Sequence, residues 1–242
     1  KGDGYWNASA YPVNEADRAG FESSVKAQLK ELIRIHRNHP SIVVWSMSNE
    51  PFFTAPETID PMRKLLSETV KLSKQLDPTR PAALGGAQRP LGEKRIDKLG
   101  DIAGYNGDGS YIPEFQQPGI PTVVSEYGST TADRPGEYDP GWGDLAKNNA
   151  QNGFAWRSGQ AIWCAFDHGS IAGSALGKMG IIDYFRIPKR AWYWYRNAYK
   201  GIAPPKWPEA GTPARIALTA DQTNQIKTDG TDDVMLSVTI LD

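Results

Sequence analysis

The sequence is poor in cysteine, in histidine, in net charge and in long apolar runs. Cys164 is the only cysteine, which excludes a disulfide within these 242 residues and a cysteine-based zinc cluster. The formal net charge is −1, so the charge balance predicts neither nucleic acid nor an anionic membrane as a partner. The apolar runs are too short for a membrane-spanning helix. His36, His39 and His168 are the only histidines, and they are too scattered to predict a metal site.

The sequence also lacks a start methionine, a signal peptide and a phosphate-binding loop. It opens on Lys1-Gly2-Asp3-Gly4, a start typical of the middle of a longer protein. The compartment is therefore left open, and a periplasmic or secreted location is compatible with the sequence. Gly107-Asp108-Gly109 opens no clear helix, so it does not predict a nucleotide site. We expect no cofactor and no metal.

Strands and helices alternate along most of the chain. Helical spacing of apolar residues predicts helices over residues 14–38, 60–77, 142–157 and 189–200, with a short helix over 111–118. Short β-prone runs predict strands over residues 42–48, 81–86, 102–106, 121–126 and 160–167. Such alternation indicates an α/β fold built on a parallel sheet or barrel. An eight-stranded barrel would need three more strands than these five.

The composition changes after Gly201. Four prolines between 204 and 213 predict a stiff linker. Beyond it, residues 214–218 and 234–241 alternate as β-strands do, around the turn Asp229-Gly230. This pattern is typical of the opening of an immunoglobulin-like β-sandwich, which so few residues cannot complete.

Two of the predicted strands end at a glutamate or within two residues of one. Glu50 precedes Pro51, and Glu126 lies two residues before Gly128. Strict alternation of side chains predicts that Val124 and Glu126 share one face, which we expect to point into the barrel. Catalytic groups of parallel barrels lie at such strand ends, and two carboxylates are the minimum for cleaving a glycosidic bond. A single glutamate there would be read as a solvated loop residue, but two favour a site.

Five further residues are candidate substrate ligands. The amide of Asn49 is suited to a sugar hydroxyl, although Asn is also a common turn residue. Trp163 is a candidate floor for a sugar ring or else a core residue, and Asp167 shares its face. His168 follows at the strand end and is expected to line the pocket. The phenol of Tyr105 is a candidate contact for the carboxylate of Glu126, or an ordinary rim residue.

These residues together resemble glycoside hydrolase family 2, the family of β-galactosidases and β-glucuronidases. The resemblance covers nearly all of residues 14–200. The matching segments occur in the family's order and are Arg37-Asn38-His39-Pro40-Ser41-Ile42, Asn49-Glu50, Ser125-Glu126-Tyr127-Gly128, Ile162-Trp163, Gly180-Ile181-Ile182-Asp183, Pro188-Lys189 and Tyr193-Trp194-Tyr195.

The resemblance implies strands four to eight of a (β/α)8 TIM barrel, with strands one to three preceding Lys1. We therefore expect a partial catalytic barrel over 1–203, a linker over 204–213 and the start of a β-sandwich domain over 214–242. Open edges of such a partial barrel predict self-association of this piece.

The resemblance also implies roles for the site residues. Glu50 is expected to be the acid/base and Glu126 the nucleophile of a retaining, exo-acting β-glycosidase, with carboxyl groups roughly 5–5.5 Å apart. Asn49 would bind the sugar 2-hydroxyl, Tyr105 would adjoin the nucleophile, and Trp163 would carry the sugar ring. The substrate is expected to be a carbohydrate.

The sugar is predicted from one departure from the family pattern. Glucuronidases of the family carry an Asn-x-Lys pair near the last loop, whereas Leu176-Gly177-Lys178-Met179-Gly180 contains no Asn. This favours a neutral sugar, and galactose is the preferred choice. The alternatives are a β-glucuronidase or another β-glycosidase of the family, a non-catalytic carbohydrate-binding relative, and a structural α/β domain with incidental glutamates.

Overall fold

The computed structural model describes residues 11–51, 54–107, 112–116, 118–128, 132–140, 157–172, 175–207, 214–227, 229–230 and 232–241. The chain divides into two compact units, Lys1–Ile202 and Ala203–Asp242. Within the described part of the chain, no helix is both long enough and apolar enough to cross a bilayer.

A curled parallel sheet forms the centre of the first unit. Its five strands are β1 (Trp45–Ser46), β2 (Ala82–Leu84), β3 (Ile102–Asn106), β4 (Thr122–Gly128) and β5 (Arg157–Trp163). They lie in the order β1-β2-β3-β4-β5, and each pair of neighbours is parallel. A parallel sheet whose spatial order follows the chain order is built like consecutive strands of a barrel. The predicted parallel sheet is therefore confirmed.

Among the described residues, three α-helices accompany the sheet, and their ends follow from local sequence. They are α1 (Glu15–His36), α2 (Ile59–Leu76) and α3 (Arg190–Lys200). The side chain of Asn14 accepts a hydrogen bond from the backbone N–H of Ala16, as expected of an N-cap. Gly201 ends α3 in the left-handed conformation, with a φ of 62°. The predicted helices over 14–38, 60–77 and 189–200 are confirmed.

Several predicted elements differ from the structure. Of the strand predicted over 42–48, only the two residues of β1 form a strand. Within the helix predicted over 111–118, the structure has one 3₁₀ turn, Pro113–Phe115. The strand predicted over 160–167 ends at Trp163, and a hairpin follows it, β6 (His168–Ala172) with β7 (Ala175–Gly177). The helix predicted over 142–157 falls on 142–156, outside the described residues, and Arg157 begins β5.

The core lies between α2 and the first strands. The apolar face of α2 packs against β2, in a cluster that consists of Tyr11, Met62, Leu65, Leu66, Val70, Ala82, Leu84, Ala87 and Ile96. Beneath β1, the indole N–H of Trp45 donates to Asp77 at 2.9 Å, and Arg80 pairs with the same carboxylate at 2.6 Å. These contacts fix the end of α2 against the strand that leads to Glu50.

The second unit contains, among its described residues, one antiparallel pair, β8 (Arg215–Ala220) and β9 (Leu236–Leu241). Cross-strand partners place five exposed apolar residues on one face, namely Ile216, Leu218, Leu236, Val238 and Ile240. A two-stranded sheet with an uncovered apolar face is marginal alone, and sheet-on-sheet packing covers such a face in a sandwich. The β-sandwich interpretation stays a prediction.

Candidate active site

Glu50 is held in a constrained backbone position four residues after the end of β1. Its φ is 49°, in the left-handed region that few residues other than glycine occupy. Gly86 lies directly against it, because a β-carbon on Gly86 would come within 2.5 Å of the Glu50 backbone nitrogen and 2.9 Å of its γ-carbon. Such close packing needs a glycine on one side, and Gly86 also has a φ of +61°. The carboxyl group of Glu50 is thereby placed through its backbone.

Asn106, the last residue of β3, contacts Glu50 directly. Its side-chain N–H donates to Oε1 of Glu50 at 2.7 Å. Asn106 is buried, and its backbone N–H donates to Oε1 of the buried Gln88 at 3.0 Å. The hydrogen bond between Asn106 and Glu50 joins residues 56 positions apart in the chain.

The strand carrying Glu126 lies next to this contact. In the register between β3 and β4, Asn106 is the partner of Glu126. The hydroxyl of Ser125 accepts from the backbone N–H of Gly86 at 3.1 Å and donates to the amide oxygen of Asn106 at 3.4 Å. Asn106 therefore touches Glu50 by hydrogen bond and neighbours Glu126 by strand pairing. The fold brings both predicted glutamates to the same end of the sheet.

The predicted sharing of one inward face by Val124 and Glu126 needs correction. Val124 is buried and packs against Tyr195 of α3, on the helix-covered side of the sheet. The pairing of β4 with β5 shifts register between Val124 and Tyr127, and that of β3 with β4 shifts between Tyr105 and Asn106. A register shift breaks the two-residue alternation on which the prediction depended.

Trp163 lies at the end of β5, beside the end of the Glu126 strand. Its register partner is Gly128, and its side chain is 42% exposed. The peptide bond to Cys164 is cis. Burial raises the pKa of the Cys164 thiol, and the charges of Asp167 and Glu126 act in the same direction. The pairing of Gly128 with Trp163 places the end of β5 beside the end of the Glu126 strand, and the role of Trp163 as a sugar platform stays a prediction.

Tyr105 does not have the predicted contact. Its hydroxyl donates to Oδ2 of Asp97 at 2.9 Å, and its ring is buried against Phe115. Burial, followed by the charge of Asp97, raises its pKa well above the usual range for tyrosine. The expectation that its phenol adjoins Glu126 is wrong, because Tyr105 and Asn106 are adjacent and their side chains leave opposite faces of β3.

Asp167 forms a largely buried ion pair with Lys189. Lys189, only 2% exposed, donates to Oδ1 of Asp167 at 2.6 Å and to the carbonyls of Ala132 and Lys178. The backbone N–H of Gly180 donates to the same Oδ1 at 2.8 Å. Asp167 thus ties the segment after β5 to the start of α3, and its predicted role as a sugar ligand stays a prediction.

His168 and Asn49 have surroundings that leave their predicted roles open. The rings of His168 and Trp163 form a T-shaped contact, with centroids 5.9 Å apart. It also covers Gly177, where a β-carbon would lie 2.1 Å from the imidazole. A cavity of about 290 Å³ is lined by His168 together with Asp133, Arg134, Asp167, Gly177, Lys178, Asp183, Tyr184 and Phe185. Asn49 is exposed and directly precedes Glu50.

Within the described ranges, no three His, Cys, Asp or Glu side chains converge as metal ligands would.

Four residues that shape the site are absent from the candidates predicted from the sequence: Gly86, Asn106, Ser125 and Lys189. Asn106 had one usable signal, because it ends a predicted strand as both glutamates do. Ser125 and Lys189 lie in segments that resemble the family, but their contacts, like the closeness of Gly86 to Glu50, involve residues far away in the chain.

Comparison with known proteins shows the family of this chain. Residues 6–168 match the sequence model of the family described as "Glycosyl hydrolases family 2, TIM barrel domain". The β-glucuronidase of Bacteroides fragilis is 27% identical over 216 residues, which cover 74% of this chain and 30% of that protein. The β-galactosidase of Thermoanaerobacter pseudethanolicus is 29% identical over 197 residues, which cover 73% of this chain and 24% of that protein. The chain thus spans less than a third of the length of these relatives.

Solved structures show the same fold. The β-glucuronidase of Faecalibacterium prausnitzii has a TM-score of 0.59 at 22% identity, over 77% of this chain and 36% of that one. A β-glucuronidase of Bacteroides uniformis has a TM-score of 0.62 at 19% identity, over 88% of this chain and 28% of that one. At these identities the likeness concerns the fold alone. The five-stranded sheet is part of a (β/α)8 barrel.

Proposed function

Because this chain belongs to glycoside hydrolase family 2, we propose that the protein containing it is a retaining, exo-acting β-glycosidase. It would remove terminal non-reducing β-linked sugars with Glu50 as acid/base and Glu126 as nucleophile. The observation that carries the proposal is Asn106, which hydrogen-bonds Glu50 and pairs in register with Glu126. Retention needs two carboxyl groups close together, about 5–5.5 Å apart, and glutamates on either side of one asparagine suit that spacing.

The first half of the reaction forms a glycosyl-enzyme. A carboxylate oxygen of Glu126 attacks the anomeric carbon while the carboxyl group of Glu50 gives its proton to the glycosidic oxygen. The bond from the anomeric carbon to that oxygen breaks, and the aglycone leaves as a neutral alcohol. Trp163 would support the apolar face of the sugar, and Asn49 would bind the 2-hydroxyl, where hydrogen bonds strengthen in the transition state.

The second half returns the enzyme to its starting state. Glu50, now ionised, takes a proton from a water molecule as that water attacks the anomeric carbon. The ester bond to Glu126 breaks, and the sugar leaves with its original anomeric configuration. The two carboxyl groups end in their initial protonation states.

For the sugar we propose galactose, with glucuronic acid as the second candidate. The segment 176–180 lacks the Asn of the glucuronidase pattern, and Lys178 within it pairs with Asp133 at 2.8 Å. Glucuronic acid stays the second candidate because relatives named β-glucuronidase match the chain about as well as those named β-galactosidase do.

The test is a panel of 4-nitrophenyl β-glycosides, with galactoside, glucuronide, glucoside and mannoside, assayed on the full-length protein. We expect the galactoside to have the highest kcat/KM and its hydrolysis to retain configuration by NMR. Hydrolysis of the glucuronide alone would overturn the choice of sugar. Inversion of configuration would overturn the mechanism, and a protein that binds these sugars without turnover would be a carbohydrate-binding relative.

The roles of the two glutamates can be separated by leaving group. Glu126→Gln should abolish turnover of every substrate, because it removes the nucleophile. Glu50→Gln should affect good leaving groups least, since they need little protonation, and azide should partly restore turnover by replacing the activated water. Equal sensitivity of both variants to the leaving group would show that the roles are assigned wrongly.

A further inference from the structure

We propose that Asn106 is a positioning residue for proton transfer by Glu50, an inference that rests on the proposed glycosidase function. Its side-chain N–H holds Oε1 of Glu50 at 2.7 Å. Glu50 follows a strand of only two residues, so the regular pairing of β1 stops well before it. A side chain on such a segment needs an anchor from elsewhere if its carboxyl group is to keep one orientation.

The orientation of the Asn106 amide is determined by its two neighbours. Its Oδ1 faces the hydroxyl of Ser125, which already accepts the N–H of Gly86 and so has its own proton to donate. Its nitrogen faces Glu50, whose carboxylate accepts. Reversing the amide would set its oxygen against the carboxylate and its N–H₂ against Ser125, which is the less favourable arrangement.

The backbone of Asn106 is held independently of its side chain. Its N–H donates to Oε1 of Gln88 at 3.0 Å, and both residues are buried, at 2% and 1% exposure. The amide that reaches Glu50 is thus mounted on a buried strand end with two separate attachments. Rigid mounting of this kind is what a group that orients a catalytic side chain requires.

The chemical consequence concerns which oxygen carries the proton. Oε1 of Glu50 accepts the N–H of Asn106, so the transferable proton is placed on Oε2. In the first step the O–H bond at Oε2 breaks, the proton joins the glycosidic oxygen, and the aglycone leaves. In the second step Oε2 takes the proton back from water. Asn106 itself gains and loses nothing, and its contribution is the direction of Oε2.

The test compares leaving groups in the full-length protein. The substrates are aryl glycosides of whichever sugar the unsubstituted protein hydrolyses, with leaving groups from 2,4-dinitrophenol to phenol. Asn106→Ala should lower kcat/KM for the phenyl glycoside by about 10–100-fold, a part of what general acid catalysis contributes. The dinitrophenyl glycoside should change by less than about threefold, because its departure needs little protonation. The plot of log kcat/KM against leaving-group pKa should therefore become steeper.

Ser125→Ala and Tyr105→Phe complete the design. Ser125→Ala removes the hydroxyl that orients the amide and should steepen the same plot by less than Asn106→Ala does. Tyr105→Phe removes a buried hydrogen bond from the adjacent residue on the opposite face of β3, so any loss should be equal for all leaving groups.

The outcomes separate this inference from the proposed function. If Asn106→Ala lowers kcat/KM equally for every leaving group, or lowers only the melting temperature, Asn106 is structural and the inference fails although the enzyme is a glycosidase. If the unsubstituted protein hydrolyses none of the glycosides, the proposed function fails. If Asn106→Ala does not fold, the steepening expected of Ser125→Ala decides the question.

Discussion

The backbone nitrogen of Glu50 lies so close to Gly86 that a β-carbon on Gly86 would come within 2.5 Å of it. The position of the proposed acid/base is therefore set by a glycine on the neighbouring strand end. No chemical group of Gly86 takes part in the reaction, so its importance lies only in the space that it leaves.

Gly86→Ala is expected to reduce activity by displacing Glu50. The added methyl group meets backbone atoms that cannot rotate away, and displacement of a catalytic group by about 1 Å can cost 100-fold in rate. We expect a loss of kcat/KM of about 100-fold. The matched control is Gly92→Ala, because Gly92 also has a positive φ, +70°, but has open space where the methyl group would lie. Both variants should lose about 1–2 kcal/mol of stability from the left-handed backbone. Equal activity of the two variants would contradict this reasoning.

Lys189→Met should destabilise the fold far more than a comparable surface change. It leaves the Asp167 carboxylate, whose side chain is only 12% exposed, without its cation. Breaking a buried pair from one side costs about 3–5 kcal/mol. Adding Asp167→Asn should recover part of this loss, because the Asn oxygen still accepts the N–H of Gly180. Lys178→Met, in an exposed pair with Asp133, should cost less than about 1 kcal/mol. Urea unfolding measures the stability of Lys189→Met, Asp167→Asn, the double variant and Lys178→Met. Additive losses for Lys189→Met and Asp167→Asn would contradict the pairing.

Protonation of Asp77 should lower the free energy of unfolding in acid. Hydrogen bonds from Thr79, then Trp45 and Arg80, hold the pKa of Asp77 well below its usual range. A lowered pKa in the folded state contributes stability that is complete above the unfolded pKa, about 3.9, and is lost as pH falls towards the folded pKa. Asp77→Asn should therefore be less stable than the unsubstituted protein at pH 7, and the difference should shrink below about pH 4.

The control for Asp77 is Asp60→Asn, which removes an exposed pair with Lys94. Unfolding free energies from pH 7 to pH 2 should run parallel for this variant and the unsubstituted protein. A difference between Asp77→Asn and the unsubstituted protein that stays constant across this range would show that Asp77 does not cause the acid dependence.

The 242-residue chain alone is expected to self-associate or rearrange, and to be weakly active. Within the described residues, the parallel sheet has β1 and β5 as its two edges. Edges of buried strands pair readily with other chains, and further barrel strands would supply part of the sugar pocket. Size-exclusion chromatography with light scattering and the glycoside assay test this together. A monomer as active as the full-length protein would contradict it.

Local sequence determined the elements and the strand ends that carry chemistry. Asn14 begins α1 and Gly201 ends α3, because capping depends on residues a few positions apart. The strand predicted over 102–106 has those bounds in the structure, and the strand of Glu126 was found within two residues of its end. Periodicity and capping are short-range properties, so one sequence suffices to read them.

Only the tertiary structure decided what each polar side chain contacts. The hydroxyl of Tyr105 donates to Asp97, and the ammonium of Lys189 donates to Asp167. The side-chain N–H of Asn106 donates to Glu50. Three register shifts occur in the pairings of β4 with its neighbours, and each shift interrupts the alternation of faces that the sequence pattern assumes. These contacts join residues 8 to 56 positions apart, and their formation depends on how the strands pair and curl rather than on the residues next to them.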